Sequence, residues 1–194
     1  MSRSDHPRTT AGSQPLLHQK GQEIQEFGTV SQLPLGLTRD ARLYACQRLN
    51  QVLADTVILY SLYKKHHWLV RGATFYQLHL LLDKHADEQL ALVDALAERI
   101  QGLGGVAVGD PRHAAELTSI PRPPDGVEEV PAMLSRLLSA HEGILVDARD
   151  AAGRVAALGD DGTNDLLVSQ VVRTGEAQVW FLAEHLVDTP LVRL

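Results

Sequence analysis

At 194 residues the chain suits one domain with a substantial core and a modest tail. Aromatic residues make up only 5%, while Leu, Ala and Val dominate, which favours packed helices over a sheet. The net charge of −6 excludes a generic nucleic-acid-binding body, and the single cysteine, Cys46, excludes an intrachain disulfide framework and a Cys-rich zinc site. No run of eighteen apolar residues occurs, and no hydrophobic segment follows Met1 to Pro7, so a soluble, cytoplasmic protein with no membrane partner is expected.

Residues 1–35 are polar, contain Pro7, Pro15 and Pro34, and show no sustained period; they are expected to form a flexible N-terminal arm. Thr38 then makes an N-cap for a helix to about Lys65, with Leu43, Cys46, Leu49, Leu53, Val57 and Tyr60 on one face. Trp68 to Ala73 contains Gly72 and breaks it. Thr74-Phe75-Tyr76-Gln77 has capping-box spacing, and a second helix runs to about Gln101, ended by Gly102, Gly104 and Gly105. Residues 102–130 form a connection rich in Gly and Pro, with a short helix near Pro111 to Leu117. A third helix spans about Pro131 to Leu158, Pro131 being acceptable in its first turn. Asp160-Asp161-Gly162-Thr163 makes a turn, and a fourth helix runs from about Thr163 to Val187, with Asp165 near its positive end. The expectation is an all-α fold over residues 36–188, a ferritin-like four-helix bundle with a long crossover between the second and third helices, followed by a short tail over 189–194.

The second helix and its approach carry the residues of interest. His79 and Asp83 are four apart, as are Asp94 and Glu98, so each pair projects from one helical face. Imidazole plus carboxylate suits iron, zinc or manganese. The two pairs cannot share one metal within a chain: the eleven residues from Asp83 to Asp94 span roughly 16 Å of helix, whereas ligands sit only ~2 Å from a metal. Either these are unrelated surface pairs, or each chain supplies two half-sites that a symmetry mate completes.

The order His67-Trp68, then Gly72, Phe75, His79, Asp83, Asp94 and Glu98, resembles the signature of the Dps family, the mini-ferritins also called DNA-binding proteins from starved cells. The surrounding text, HHWLVRGATFYQLHLLLDKHADEQLALVDALAERIQGLGG, reads as that family throughout, and the similarity extends to Trp180-Phe181-Leu182. The resemblance implies a hollow dodecamer with di-metal sites between two-fold-related subunits, His67, His79 and Asp83 coming from one chain and Asp94 and Glu98 from its mate. It implies a ferroxidase that binds Fe(II), oxidises it with hydrogen peroxide or dioxygen, stores Fe(III) mineral, and thereby protects DNA from oxidative damage. Asp83 and Glu98 would lie closest to the irons, with Asp94 a weaker ligand, and zinc would compete for the same donors. Metal binding should weaken as acid protonates the imidazoles. Trp68, beside the site, would either absorb a stray oxidising equivalent or serve packing alone.

His66, adjacent to His67, is the alternative ligand, although the family pattern places the ligand just before Trp. His85, His141 and His185 are expected to be solvated, with a second transition-metal site the alternative use of one of them. Asp87 is an auxiliary ligand or a salt-bridge partner of Lys84 or Arg99. Glu142 and Asp150, two turns apart on the third helix, are candidate lining for a pore that admits Fe(II), with Asp147, Asp160 and Asp161 competing for that role.

The first twenty residues carry Arg3, Arg8 and Lys20 against Asp5, a net charge of +2 that Glu23 and Glu26 cancel by residue 35. DNA binding through such an arm is expected to be weak at neutral pH, improving as His6 and His18 charge, with nucleoid association the alternative placement to a purely cytoplasmic one. A bundle-internal di-iron site would use Glu-x-x-His motifs, and this chain has none. A nucleoid-condensing protein with a structural or zinc-occupied metal site is the second rival. A zinc metalloprotease is excluded because His141-Glu142 lacks the second histidine.

Overall fold

The computed structural model describes residues 21–188. Among them the elements are α1 (Arg39–Leu69), α2 (Phe75–Gly102), α3 (Pro111–Leu117), α4 (Val130–Ala157), α5 (Asp161–Asp165), a π-helical segment (Leu166–Val172) and α6 (Arg173–Glu184). Four rods result, the last being α5, the π segment and α6 end to end. α1 packs along α2 and α4, and α4 packs along the fourth rod. This is the expected all-α four-helix bundle with a long crossover.

Local sequence explains most helix ends. The Thr38 hydroxyl accepts from Ala41 N at 3.1 Å, capping α1 as expected. Cys46, Leu49 and Leu53 are buried, while Leu43, Val57 and Tyr60 are half-buried. α1 also buries Ala45, Val52, Ala54, Leu59, Leu62 and Tyr63, because it contacts two neighbouring rods and the crossover. The capping box at α2 does not form: Thr74 makes no side-chain cap bond. The fourth rod starts earlier than Thr163, because Asp160 is its N-cap. That carboxylate accepts from Thr163 N at 3.0 Å and Thr163 Oγ1 at 2.6 Å, and it is buried against Arg99. The π segment has no sequence signal; it admits an extra residue into the rod between Asp165 and Arg173.

The crossover is pinned from α1. Asn50 Nδ2 donates to Val106 O at 3.0 Å while its Oδ1 accepts from Val108 N at 2.8 Å. Fully buried Asp55 accepts from Thr118 Oγ1 at 2.6 Å, Ser119 N at 2.7 Å and Gln51 Nε2 at 3.0 Å. Part of the stretch assigned to a flexible arm is likewise tied down. Ser31 N and Gln25 Nε2 both donate to Gly104 O, at 2.8 and 2.9 Å. Buried Arg42 donates from Nη1 to Ser31 O at 2.6 Å and to Leu103 O at 3.1 Å. Gly104 is required here twice over: its φ is +83°, and a Cβ would lie 2.8 Å from Ser31 Oγ. Residues 1–20 of that arm, with its three cations, and the 189–194 tail lie outside the described residues.

One layer inside the bundle is polar. Tyr63 on α1, His85 and Gln89 on α2, His141 on α4 and Gln178 on α6 are all buried. Tyr63 OH and His141 Nε2 share a hydrogen bond at 2.6 Å, and Gln89 Nε2 donates to Gln178 Oε1 at 3.0 Å. His85 and His141 are therefore core residues and not solvated ones; only His185 is exposed. Burial pushes the His141 imidazole down to about 3.

Two outcomes follow from this packing. Arg42→Met should detach residues 25–35 from Gly104 and lower stability by about 1–3 kcal/mol, read as faster proteolysis of that segment together with a lower Tm. His141 is neutral in the fold and titrates near the ordinary 6.5 when unfolded. Between about 3 and about 6.5 the unfolded chain binds the extra proton, so stability falls as pH drops through that window and is unaffected above it. His141→Gln should flatten that acid limb by one proton, as measured by Tm against pH.

Candidate metal centre

The site is built where α1 ends and α2 begins. Val70 leaves the helix with φ −61° and ψ 142°, and Gly72 takes φ +98°, turning the chain so that Phe75 N donates to Gly72 O at 3.1 Å. This tight reversal sets His67 beside His79. His67 Nδ1 donates to His79 O at 2.8 Å, and His79 Nδ1 donates to His67 O at 3.0 Å. A carbonyl only accepts, so both Nδ1 atoms carry the proton and both Nε2 lone pairs are left for a metal or an acid. The rings stack with centroids 3.8 Å apart and planes within 19°, and Phe75 stacks on His79 at 5.0 Å.

Asp83 joins them from the next turn of α2, its Oδ1 3.9 Å from His67 Nε2. Lys64, one turn before His67 on α1, forms an ion pair with the same carboxylate. The Lys64 hydrogen bond holds the Asp83 carboxyl below the usual carboxylate range, so it is ionised and available as an anionic ligand. His67, His79 and Asp83 are thus brought together by one chain. His67 makes these contacts; His66 is buried, with neither ring nitrogen partnered and its basicity pushed down to about 4 by burial.

Asp94 and Glu98 are not brought to that cluster. They lie further along α2, both exposed. At ~100° per residue, His79, Asp83, Asp87, Leu90, Ala91, Asp94 and Glu98 fall within about a third of the helix circumference. A single outward stripe therefore carries both pairs. Between them lies a shallow groove lined by Asp87, Leu90, Ala91, Val93, Asp94 and Ala97. Lys84 and Arg99, considered as partners for Asp87, pair within the chain with Glu88 and Asp160.

Trp68 is 69% exposed, so packing within its own chain does not account for it. Glu142 and Asp150 are exposed on α4, where Asp150 shares Arg48 with Asp147, at 3.7 and 3.3 Å. Among the described residues, no three His, Cys, Asp or Glu side chains close on a point able to hold a metal by themselves. Sequence reasoning passed over Lys64, Tyr63 and the inward course of His85 and His141. The last two had a legible signal: His85 continues the buried row Leu78, Leu82, His85, Gln89, Leu92, Leu96, and His141 continues Leu134, Leu137.

A sequence profile of the ferritin-like domain matches residues 46–192. The structure superposes on DpsC from Streptomyces coelicolor with a TM-score of 0.87 and 74% identity, over 89% of this chain and 100% of that one. This chain belongs to the Dps family. The nutrient stress-induced DNA-binding protein of a Synechococcus strain is 36% identical over 168 residues, 87% of this chain and 95% of that protein. The DNA protection during starvation protein of Halobacterium salinarum is 32% identical over 144 residues, 74% of this chain and 79% of that one. The resemblance carried by His67 to Glu98 is thereby placed within an all-helical Dps fold. No helix among the described residues is long and apolar enough to cross a membrane.

Because Gly72 holds a left-handed φ, Gly72→Ala should destabilise the turn by about 1–2 kcal/mol and loosen the His67–His79 stack. Zinc titration of this variant is expected to show weaker binding than the parent chain; unchanged affinity would mean that the turn does not set the ligand geometry.

Proposed function

We propose that this Dps-family chain is a ferroxidase that oxidises Fe(II) at sites shared by two subunits and stores the Fe(III) product inside a hollow homododecamer. The observation that carries the reading is the single exposed stripe of α2. His79 and Asp83 lie at one end of it and Asp94 and Glu98 at the other, with an apolar-walled groove between. Two copies of α2 packed antiparallel across that groove, about a two-fold axis near residue 88, would set each pair opposite the other chain's complementary pair. Leu80 and Leu90, both half-exposed in the single chain, would be covered by the same contact.

Each residue has a chemical role in this reading. His67 and His79 offer Nε2 lone pairs whose direction is locked by the reciprocal Nδ1 hydrogen bonds. Asp83 and Glu98 supply negative charge, which favours Fe(III) over Fe(II), and Asp94 orients a ligand or binds more weakly. Lys64 neutralises Asp83 in the metal-free site and must share or yield that carboxylate when a cation enters. Trp68, next in sequence to His67, would absorb a stray oxidising equivalent. Iron is the substrate, zinc a competing occupant of the same donors, and hydrogen peroxide the oxidant, two irons supplying the two electrons each peroxide needs. Glu142 and Asp150 would line the entry pore. Protection of DNA would come from removing iron and peroxide together, with direct DNA binding weak because the described body is acidic.

Sharing of the site gives a sharp test. Shells of His79→Ala and shells of Glu98→Ala should each oxidise Fe(II) slowly with peroxide under anaerobic conditions, and co-assembled mixed shells should recover part of the activity. Verified mixed shells that stay as slow as the parents would contradict the two-chain arrangement.

A further inference from the structure

The buried pair of Tyr63 and His141 takes no part in the metal centre proposed above. Tyr63 is fully buried and His141 is 1% exposed, and the 2.6 Å contact runs from the phenol to Nε2. Tyr63 sits one helical turn before His67 on α1, roughly 6 Å along the axis. Its ring lies edge-on to two imidazoles, His85 at 5.4 Å and His141 at 5.8 Å. The phenol keeps its proton at rest, since burial, reinforced by the Glu88 charge, raises its pKa well above the ordinary tyrosine value. Burial also keeps His141 neutral, and in the tautomer protonated at Nδ1 its Nε2 lone pair accepts that proton.

A protonated phenol sealed in a core loses an electron readily only if the proton has somewhere to go, because the radical cation is a far stronger acid than imidazolium. This pair provides the destination at hydrogen-bond distance.

We propose that Tyr63, with His141 as its proton acceptor, is an internal one-electron relay that supplies the second electron when peroxide meets a site holding a single Fe(II). The inference rests on the ferroxidase reading and adds to it. The step balances: Fe(II) and Tyr63 each give one electron, the O–O bond breaks to two hydroxide ions, and the phenolic proton moves to His141 Nε2, leaving Fe(III), a neutral tyrosyl radical and an imidazolium. A second Fe(II) then reduces the radical, which recovers the proton from His141. The net reaction is two Fe(II) oxidised per peroxide, with no hydroxyl radical released.

The test mixes the assembled full-length protein, loaded anaerobically with less than one Fe(II) per site, with peroxide, and reads Fe(III) absorbance and freeze-quench electron paramagnetic resonance on the same samples. A tyrosyl signal is expected, lost in Tyr63→Phe, diminished in His141→Leu and retained in Trp68→Phe. The chain has four tyrosines, so a Tyr44→Phe/Tyr60→Phe/Tyr76→Phe variant leaves Tyr63 alone and should keep the signal. If Tyr63→Phe does not assemble, that triple variant decides: a retained signal supports the relay and a lost one overturns it. Iron oxidised without any tyrosyl radical, or with the radical intact in Tyr63→Phe, overturns the relay and leaves the ferroxidase reading standing. Absence of iron oxidation removes the ferroxidase reading and the relay with it.

Discussion

The arrangement depends first on two reciprocal hydrogen bonds across a five-residue turn. His67 and His79 each give their Nδ1 proton to the other's backbone carbonyl. The exchange ties the end of α1 to the start of α2, fixes both tautomers and stacks both rings. Without it, α1 and α2 would still pack through their apolar faces, but neither ring would be held in its tautomer and orientation. The turn that allows it needs a residue at φ +98°, which only glycine adopts without strain. Asp83 comes into reach because it lies one turn along α2 from His79, and Lys64 comes into reach because it lies one turn back along α1 from His67.

A second constraint operates deeper. Tyr63, His85, Gln89, His141 and Gln178 meet in the middle of the bundle, drawn from all four rods. Apolar side chains tolerate sliding, whereas Tyr63 with His141 and Gln89 with Gln178 pair in one register. A shifted rod would strand a buried donor or acceptor at about 1–3 kcal/mol each. The same layer therefore sets the bundle's register and, through Tyr63 and His141, places an oxidisable phenol with a proton acceptor one turn from His67. Gln178 reaches the layer from α6, just beyond the π segment, and also donates to Glu88 Oε2 at 2.8 Å.

The crossover and the segment that precedes the bundle are held by side chains of α1. Asn50 and Asp55 hold the crossover, and Arg42 holds the segment that precedes the bundle, at the Gly104 end of α2. The outward stripe of α2 is left clear of all of these attachments. Its charged pairs and exposed leucines therefore face away from the chain's own core.

The sequence by itself determined the four rods, the crossover and the short helix within it, because apolar periodicity, Thr38 and the Gly and Pro clusters act over neighbouring residues. It also made four of the candidate ligands legible as two pairs, since four-residue spacings on a helix project to one face whatever surrounds it, while His67 was singled out by its place before Trp68 in the family pattern. It misplaced the start of the fourth rod, where Asp160 caps a helix only with Thr163 and Arg99 folded around it. It also could not reveal that Arg42 anchors residues 25–35, that Tyr63 reaches His141, or that the fourth rod is π-helical between Leu166 and Val172. Those outcomes belong to tertiary structure, because they depend on which residues distant in sequence the packed rods bring together. Tyr63 and His141 are 78 positions apart, and only the packed bundle brings them within a hydrogen bond.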